Sequence, residues 1–251
     1  MTLAGTGAVV TGGGQGIGAA VARALAQAGA AVVVAARNRD RIEAVATELR
    51  AAGHKAWQVT CDVTDPASVQ LLAAAAAKHL GSVDILVNNA GTAHSAPLAR
   101  ITLDDWNRLF AVNATGTFLC TQAFLPGMLA RKRGRVVNVA SVAGLHGARY
   151  IAAYGAAKHA VVGFTRCIAA EVAGTGVTCN AVCPGYVDTE MTRQSVERVV
   201  AKTGKTPEDA LKVMLATGGQ ARLLTAGDVA DAVLKLCAAD AHDTNGEAIA
   251  L

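Results

Sequence analysis

The chain has 251 residues, 52% hydrophobic and 17% charged, with a formal net charge of +4. With a mean hydropathy of +0.34, these values exclude a disordered chain and suit one well-filled α/β domain over residues 1–251. The positive excess is mild and its densest run, ARKRGR at 130–135, reads as a solvated helix end, so no nucleic-acid partner is expected.

The glycine cluster begins at residue 12, where the apolar stretch of an export signal would still be running. The longest apolar run, AVVVAA at 31–36, is too short to span a bilayer. Both observations predict a cytoplasmic protein with no membrane contact. The six cysteines form no CxxC pair and read as reduced, small core residues rather than metal ligands.

In chain order, the first strand (8–12) runs into TGGGQGIGAA at 11–20, which opens a helix over 17–29. Glycine permits positive φ and close backbone approach, and a helix N-terminus favours an anion, so this loop suits a dinucleotide pyrophosphate. Its candidate contacts are Gly12, Gly14, Gln15, Gly16, Ile17 and Gly18. Both a G-x3-G-x-G and a G-x-G-x-x-A spacing fit the loop, so spacing alone does not decide the family.

The second strand (31–36) ends in AARNRDR. A carboxylate at that end would bind the ribose 2′-hydroxyl of NAD(H); Arg37 instead matches a 2′-phosphate, with Arg39 and Arg41 as helpers. The predicted cofactor is NADP(H), with NAD(H) the lesser choice. The alternative is that all three arginines decorate the start of a surface helix over 38–52.

Further strands are predicted at 56–63, 83–90, 134–141 and 177–185, with an edge strand in GEAIAL, and helices at 66–80, 102–131, 152–174 and 227–238. Strands apolar on both faces alternating with helices imply a doubly wound, Rossmann-type parallel sheet of about seven strands covered on both sides. Residues 190–222 interrupt the rhythm after the C-terminal end of a strand, where open α/β sheets bind ligands, and read as a helical substrate lid. Val196, Val199, Val200, Leu211, Val213, Met214 and Leu215 would form its inner face or pack against the domain; Lys202, Lys205 and Lys212 would be solvated or meet phosphates.

In the alanine-rich run SVAGLHGARYIAAYGAAKHAVVGF, Tyr154 and Lys158 are four residues apart and share a helix face. An ammonium beside a phenol favours phenolate and suits general acid–base work. Ser141, thirteen residues upstream, would place its hydroxyl beside a carbonyl oxygen. Alone, the pair also fits a surface Tyr–Lys contact with a capping serine.

The ordered set TGGGQGIG, CDV (61–63), NNAG (88–91), Asn113, Ser141, YGAAK (154–158) and PGYVDT (184–189) resembles the short-chain dehydrogenase/reductase family over essentially the whole chain. The resemblance implies Tyr154 as proton donor or acceptor and Lys158 as the residue that lowers its pKa and binds the nicotinamide ribose. Ser141 would orient the carbonyl, and Asn113 would hold a water linking Lys158 to solvent. Asp62 and Val63 would contact adenine, Asn89, Ala90 and Gly91 would floor the cofactor, and Pro184, Gly185, Val187 and Thr189 would hold its nicotinamide end. It also implies a homotetramer built on the long helices.

Within the family the chain resembles β-ketoacyl reductases and aromatic-polyketide ketoreductases, which implies a small-molecule ketone or acyl thioester as substrate. TAHSAP after NNAG lacks the proline–glycine turn associated with polyketide ketoreductases. AGTGV (173–177) lacks an arginine that carrier-protein-dependent reductases often have, which favours a coenzyme A thioester or free ketone. The tail ends without a glycine pair. His94 and His146 at strand ends, with Tyr150, Tyr186 and Gln194, are candidate substrate contacts; the histidines equally suit plain loop polarity. The reverse reaction, oxidation of a secondary alcohol or hydroxyacyl-CoA, uses the same residues. A non-catalytic dinucleotide sensor would tolerate a damaged tetrad, whereas Asn113, Ser141, Tyr154 and Lys158 are all present.

Overall fold

The computed structural model describes residues 2–251. Seven strands form one sheet, every neighbouring pair parallel: β1 (Gly7–Thr11), β2 (Ala31–Ala36), β3 (Ala56–Thr60), β4 (Ile85–Asn88), β5 (Gly134–Val139), β6 (Val177–Cys183) and β7 (Ala248–Ala250), in the order β3-β2-β1-β4-β5-β6-β7. The order reverses between β1 and β4, which opens a crevice above their C-terminal ends. Strands β1, β2, β4 and β6 are buried along nearly their whole length, which explains their unbroken apolar runs.

One face of the sheet is covered by α1 (Gly16–Gln27), α2 (Arg39–Ala51) and α9 (Ala226–Leu236), with Leu25, Ile42 and Val233 fully buried among them. The other is covered by α3 (Pro66–Leu80), α5 (Gly116–Ala130) and α6 (Ala152–Glu171), where Leu72, Phe124 and Met128 fill the core. Polar groups inside this second layer pair with one another. Asn88 donates to Thr121 (3.0 Å) and to Asn138 (2.8 Å), and Asn138 donates to Thr165 (2.9 Å), so the sheet centre is pinned to α5 and α6.

The helix expected over 102–131 is broken. It comprises α4 (Leu103–Phe110), a single π-helical turn (Ala111–Thr115) and α5. Asn113 sits in the π turn, and its amide reaches out of the helix to donate to Thr92 O and accept from Thr92 N–H, while Thr117 donates to Asn113 O. Such turns gather at functional sites because they re-aim a side chain without ending the helix. Strands are shorter at their C-terminal ends than the sequence suggests: 61–63, 89–90, 140–141 and 184–185 are loops that enter the crevice. Segment 190–222 folds as α7 (Glu190–Thr203) and α8 (Pro207–Thr217), capped by Thr189 and Thr206. Met214 is buried while Val213 is 48% exposed, so the arm's apolar residues are shared between packing and solvent. Cys167 is exposed and departs from the expectation of core cysteines; the other five are buried. No helix among the described residues is long and apolar enough to cross a membrane.

Candidate active site

A cleft of about 610 Å³ runs along the C-terminal ends of β1, β2, β4, β5 and β6. At its centre the glycine loop is clamped by the segment after β4. Thr11 Oγ1 accepts the N–H groups of Asn89 and Ala90 (both 3.1 Å), and Asn89 Nδ2 donates to the carbonyls of Thr11 (3.0 Å) and Gly12 (3.1 Å). Gly12 has φ +63°, and a Cβ there would lie 2.8 Å from Ala90 Cα. A Cβ on Gly18 would lie 2.3 Å from Gly12 O. Neither position admits a side chain, so the loop is a bare backbone cradle. Gln15, which caps α1, makes no side-chain cap bond, so the first amides of that helix face the cleft without a protein partner at the cap. This fits a pyrophosphate.

Arg37, Asn38 and Arg41 line one end of the cleft, together with Asp62 and Val63. Thr64 donates to Asp62 Oδ1 through its N–H (2.9 Å) and hydroxyl (2.8 Å), and these bonds, with a smaller effect of the Arg37 charge, hold the Asp62 carboxyl below its ordinary range. Arg41 reaches across to Glu190 at the start of α7 (3.1 Å), whereas Arg39 lies outside the cleft 3.8 Å from Glu43.

At the other end lie Asn113, Ser141, Tyr154 and Lys158. Lys158 is 5% exposed, donates to the carbonyl of Val139 (2.9 Å) and lies 5.9 Å from the Tyr154 ring centroid. Burial pulls the Lys158 ammonium down to about 8. Burial pushes the Tyr154 phenol above its ordinary value, against a lowering hydrogen bond from Ser141 and alongside a smaller raising effect of Tyr186. Desolvation therefore dominates Tyr154 in the free protein, and the lowering by Lys158 expected from the sequence is not among the effects that oppose it. Ser141 caps the short turn Val142–Gly144, accepting from Ala143 N–H (3.2 Å) and donating to Pro184 O (3.4 Å). That turn is pressed onto α6, since a Cβ on Gly144 would lie 2.7 Å from Lys158 O.

Pro184, Gly185, Val187 and Thr189 line the same end, and every other residue expected to touch a cofactor, Arg39 excepted, also borders the cleft. The five candidate substrate contacts do not border it. His94 is half-buried, 4.0 Å from Asp105. His146 borders a second hollow of about 420 Å³ behind Gly185. Tyr150 is 60% exposed at φ +68°, its carbonyl tied to Ala96 N–H (2.8 Å). Tyr186 packs its ring against Gly218, and Gln194 donates to Glu190 (3.2 Å). Thr92, Arg108, Val112, Met191 and Thr192 line the cleft instead. Met191 and Thr192 follow the PGYVDT motif after one residue, a signal within reach of sequence reading; Val112, in the π turn, and Arg108, on α4, had none.

The sheet order and bare glycine cradle define a Rossmann-type α/β protein, with the Tyr–Lys–Ser–Asn cluster as a candidate acid–base centre at one end of its cleft. The profile of the short chain dehydrogenases matches residues 6–200, and the chain belongs to that family. It is similar to a 3-oxoacyl-[acyl-carrier-protein] reductase of Synechocystis, 44% identical over 186 residues covering 74% of this chain and 75% of the other. It is similar also to a D-beta-hydroxybutyrate dehydrogenase of Rhizobium meliloti, 35% identical with 97% and 96% covered. The crystal structure of a single-substitution variant of the actinorhodin polyketide ketoreductase with NADPH superposes with a TM-score of 0.93 at 37% identity, covering 98% of this chain and 95% of that one.

Proposed function

We propose that the protein is an NADPH-dependent ketoreductase that converts a ketone, a β-ketoacyl thioester of the coenzyme A type or a polyketide-like ketone, into a secondary alcohol. The observation that carries this reading is a single cleft with Arg37 at one end and the Tyr154–Lys158–Ser141 cluster at the other. The names of the relatives, two reductases and a hydroxyacid dehydrogenase, agree with it.

The glycine cradle and the N-terminus of α1 would hold the pyrophosphate, Arg37 the 2′-phosphate, and Gly185, Val187 and Thr189 the nicotinamide end. The bound cofactor supplies hydride to the carbonyl carbon. Ser141 donates a hydrogen bond to the carbonyl oxygen and orients it. Tyr154, protonated across the working range because burial raises it, gives its phenolic proton to the oxygen as negative charge develops there. Lys158, anchored on Val139 O, stabilises the phenolate that remains. Asn113 fixes the Thr92 loop at the substrate side, and a water beside it would return a proton through Lys158. The lid, α7 and α8, closes the substrate end through Met191 and Thr192.

The test is NADPH and NADH oxidation with acetoacetyl-CoA and a bulky bicyclic ketone side by side. Turnover of either ketone with NADPH supports the reading, and the preferred ketone names the handle. Oxidation of 3-hydroxybutyrate or another secondary alcohol, with neither ketone reduced, would replace it by the reverse reaction with Tyr154 as base.

Two further expectations follow from the same geometry. Free-enzyme groups govern kcat/KM for NADPH. Lys158 is an ammonium below pH about 8 and an amine above it. Because its charge assists binding and the phenolate, kcat/KM for NADPH is expected to be flat below pH 7 and to fall above 8, with no separate Tyr154 limb below 10. A profile flat from 7 to 10 would show that this ammonium is not required. As to assembly, Leu103 (72% exposed), Trp106 and Phe118 lie on α4 and α5, and Phe118 meets Phe164 of α6 edge-on at 6.3 Å. This apolar face supports a homotetramer of 25.4 kDa chains. Light scattering that returned a single-chain mass at micromolar concentration would refute it. The charge and surface also suit a cytoplasmic enzyme.

A further inference from the structure

The lid leaves the domain after Thr189 and returns near Leu224, and both ends meet the loop that walls the nicotinamide end of the cleft. Asp188 N–H donates to Leu224 O (2.8 Å), Leu224 N–H donates to Tyr186 O (3.0 Å), and Val187 pairs with Leu224 as an isolated parallel bridge. One side chain completes this seam. Gln220, three residues after α8 ends, accepts the N–H of Tyr186 at Oε1 (2.6 Å) and donates through Nε2 to Tyr186 O (2.9 Å) and Arg222 O (2.9 Å). Its carboxamide thus acts as a one-residue strand partner to Tyr186. Its own N–H bonds Leu215 O in α8 (2.9 Å), so the clip is anchored on the lid.

The fit around Gln220 is tight. A Cβ on Gly185 would lie 2.3 Å from its Oε1, and a Cβ on Gly218 would lie 3.2 Å from the Tyr186 ring. Gly185 faces both the cofactor cleft and the second hollow, whose lining includes Gln220.

We propose that Gln220 is a positioning residue that locks the Gly185–Tyr186 wall of the cofactor site to the exit hinge of the lid, so that wall and lid move as one. The inference rests on the reading of the cleft as an NADPH site. It explains why the position after Pro184 has no side chain: the space belongs to the carboxamide of Gln220. It touches neither cofactor nor substrate and acts through backbone that does.

The test is a cycle of Gly185→Ala, Gln220→Ala and the double variant, read first by the dissociation constant for NADPH from its fluorescence and then by kcat at saturating NADPH. Each single substitution is expected to weaken NADPH binding roughly three- to tenfold, the scale of one or two lost neutral hydrogen bonds. The double variant should bind no worse than Gln220→Ala alone, because removing the carboxamide makes room for the new methyl group. Gln220→Glu keeps the acceptor for Tyr186 N–H but sets its second carboxylate oxygen against the carbonyls of Tyr186 and Arg222, so its affinity should fall at least as far as that of Gln220→Ala. Additive losses in the double variant, or a lowered melting temperature of Gln220→Ala with unchanged NADPH affinity, would overturn the proposal. The binding cycle can be read even if wild type reduces neither ketone, which would refute the ketoreductase reading alone. If wild type binds only NADH, the same cycle is read with NADH.

Discussion

Tyr154→Phe is expected to lower kcat for ketone reduction by roughly 10²–10⁴-fold, the usual worth of a positioned general acid, while NADPH affinity changes less than about threefold. The two effects separate because the phenol oxygen serves chemistry and the ring serves packing. Phe keeps the ring in place on α6, above the turn pressed against Lys158 through Gly144. Lys158 keeps its bond to Val139 O, which does not involve the phenol, so the ribose end of the site should survive. Burial holds Tyr154 protonated at neutral pH, so the loss should be the same at pH 6 and pH 8, apart from the Lys158 limb common to both proteins. Stopped-flow turnover with fluorescence-measured NADPH affinity checks both halves. Unchanged turnover would remove Tyr154 from the mechanism; a parallel loss of binding would make it a structural residue.

The legible parts of this molecule were those written in local pattern. The inner strands are apolar on both faces because both faces are covered, so AVVVAA appears as β2 with the predicted bounds and is buried through its centre. The residues bordering the cleft were legible because they occupy the few places where strands end and backbone must come close: Gly12 and Gly18 lack room for any Cβ. The π turn was illegible. Its sequence, AVNAT, carries no breaker, and the break depends on Asn113 reaching Thr92, twenty-one residues away. The five residues expected at the substrate side do not border the cleft, for a related reason. A loop's position at a strand end does not fix where its side chains point. Tyr150 takes a left-handed backbone and turns outward while its carbonyl is held by Ala96. Arg41 and Glu190 meet across 149 residues of chain, and no local pattern couples them.

Arg37→Asp should reverse the cofactor preference. The guanidinium lines the cleft beside Asp62 and is drawn into no ion pair within 4.0 Å among the described residues, so it is available to a 2′-phosphate. Hydrogen bonds to a charged partner contribute about 1.5–3 kcal/mol, which is roughly a 10- to 100-fold loss of NADPH affinity before repulsion is added. Repulsion then works twice. The new carboxylate faces the phosphate, and it also faces Asp62, whose low pKa owes part of its depression to Arg37. NADH carries no phosphate there, and a carboxylate at this strand end can accept its ribose 2′-hydroxyl, so NADH affinity should hold or rise. Arg41 is the remaining cation at this end, but Glu190 already occupies it at 3.1 Å. Arg37→Asp combined with Arg41→Ala should therefore lose little more NADPH affinity than Arg37→Asp alone. A large further loss would assign the phosphate to Arg41, and equal weakening of NADPH and NADH by Arg37→Asp would reduce Arg37 to a surface residue.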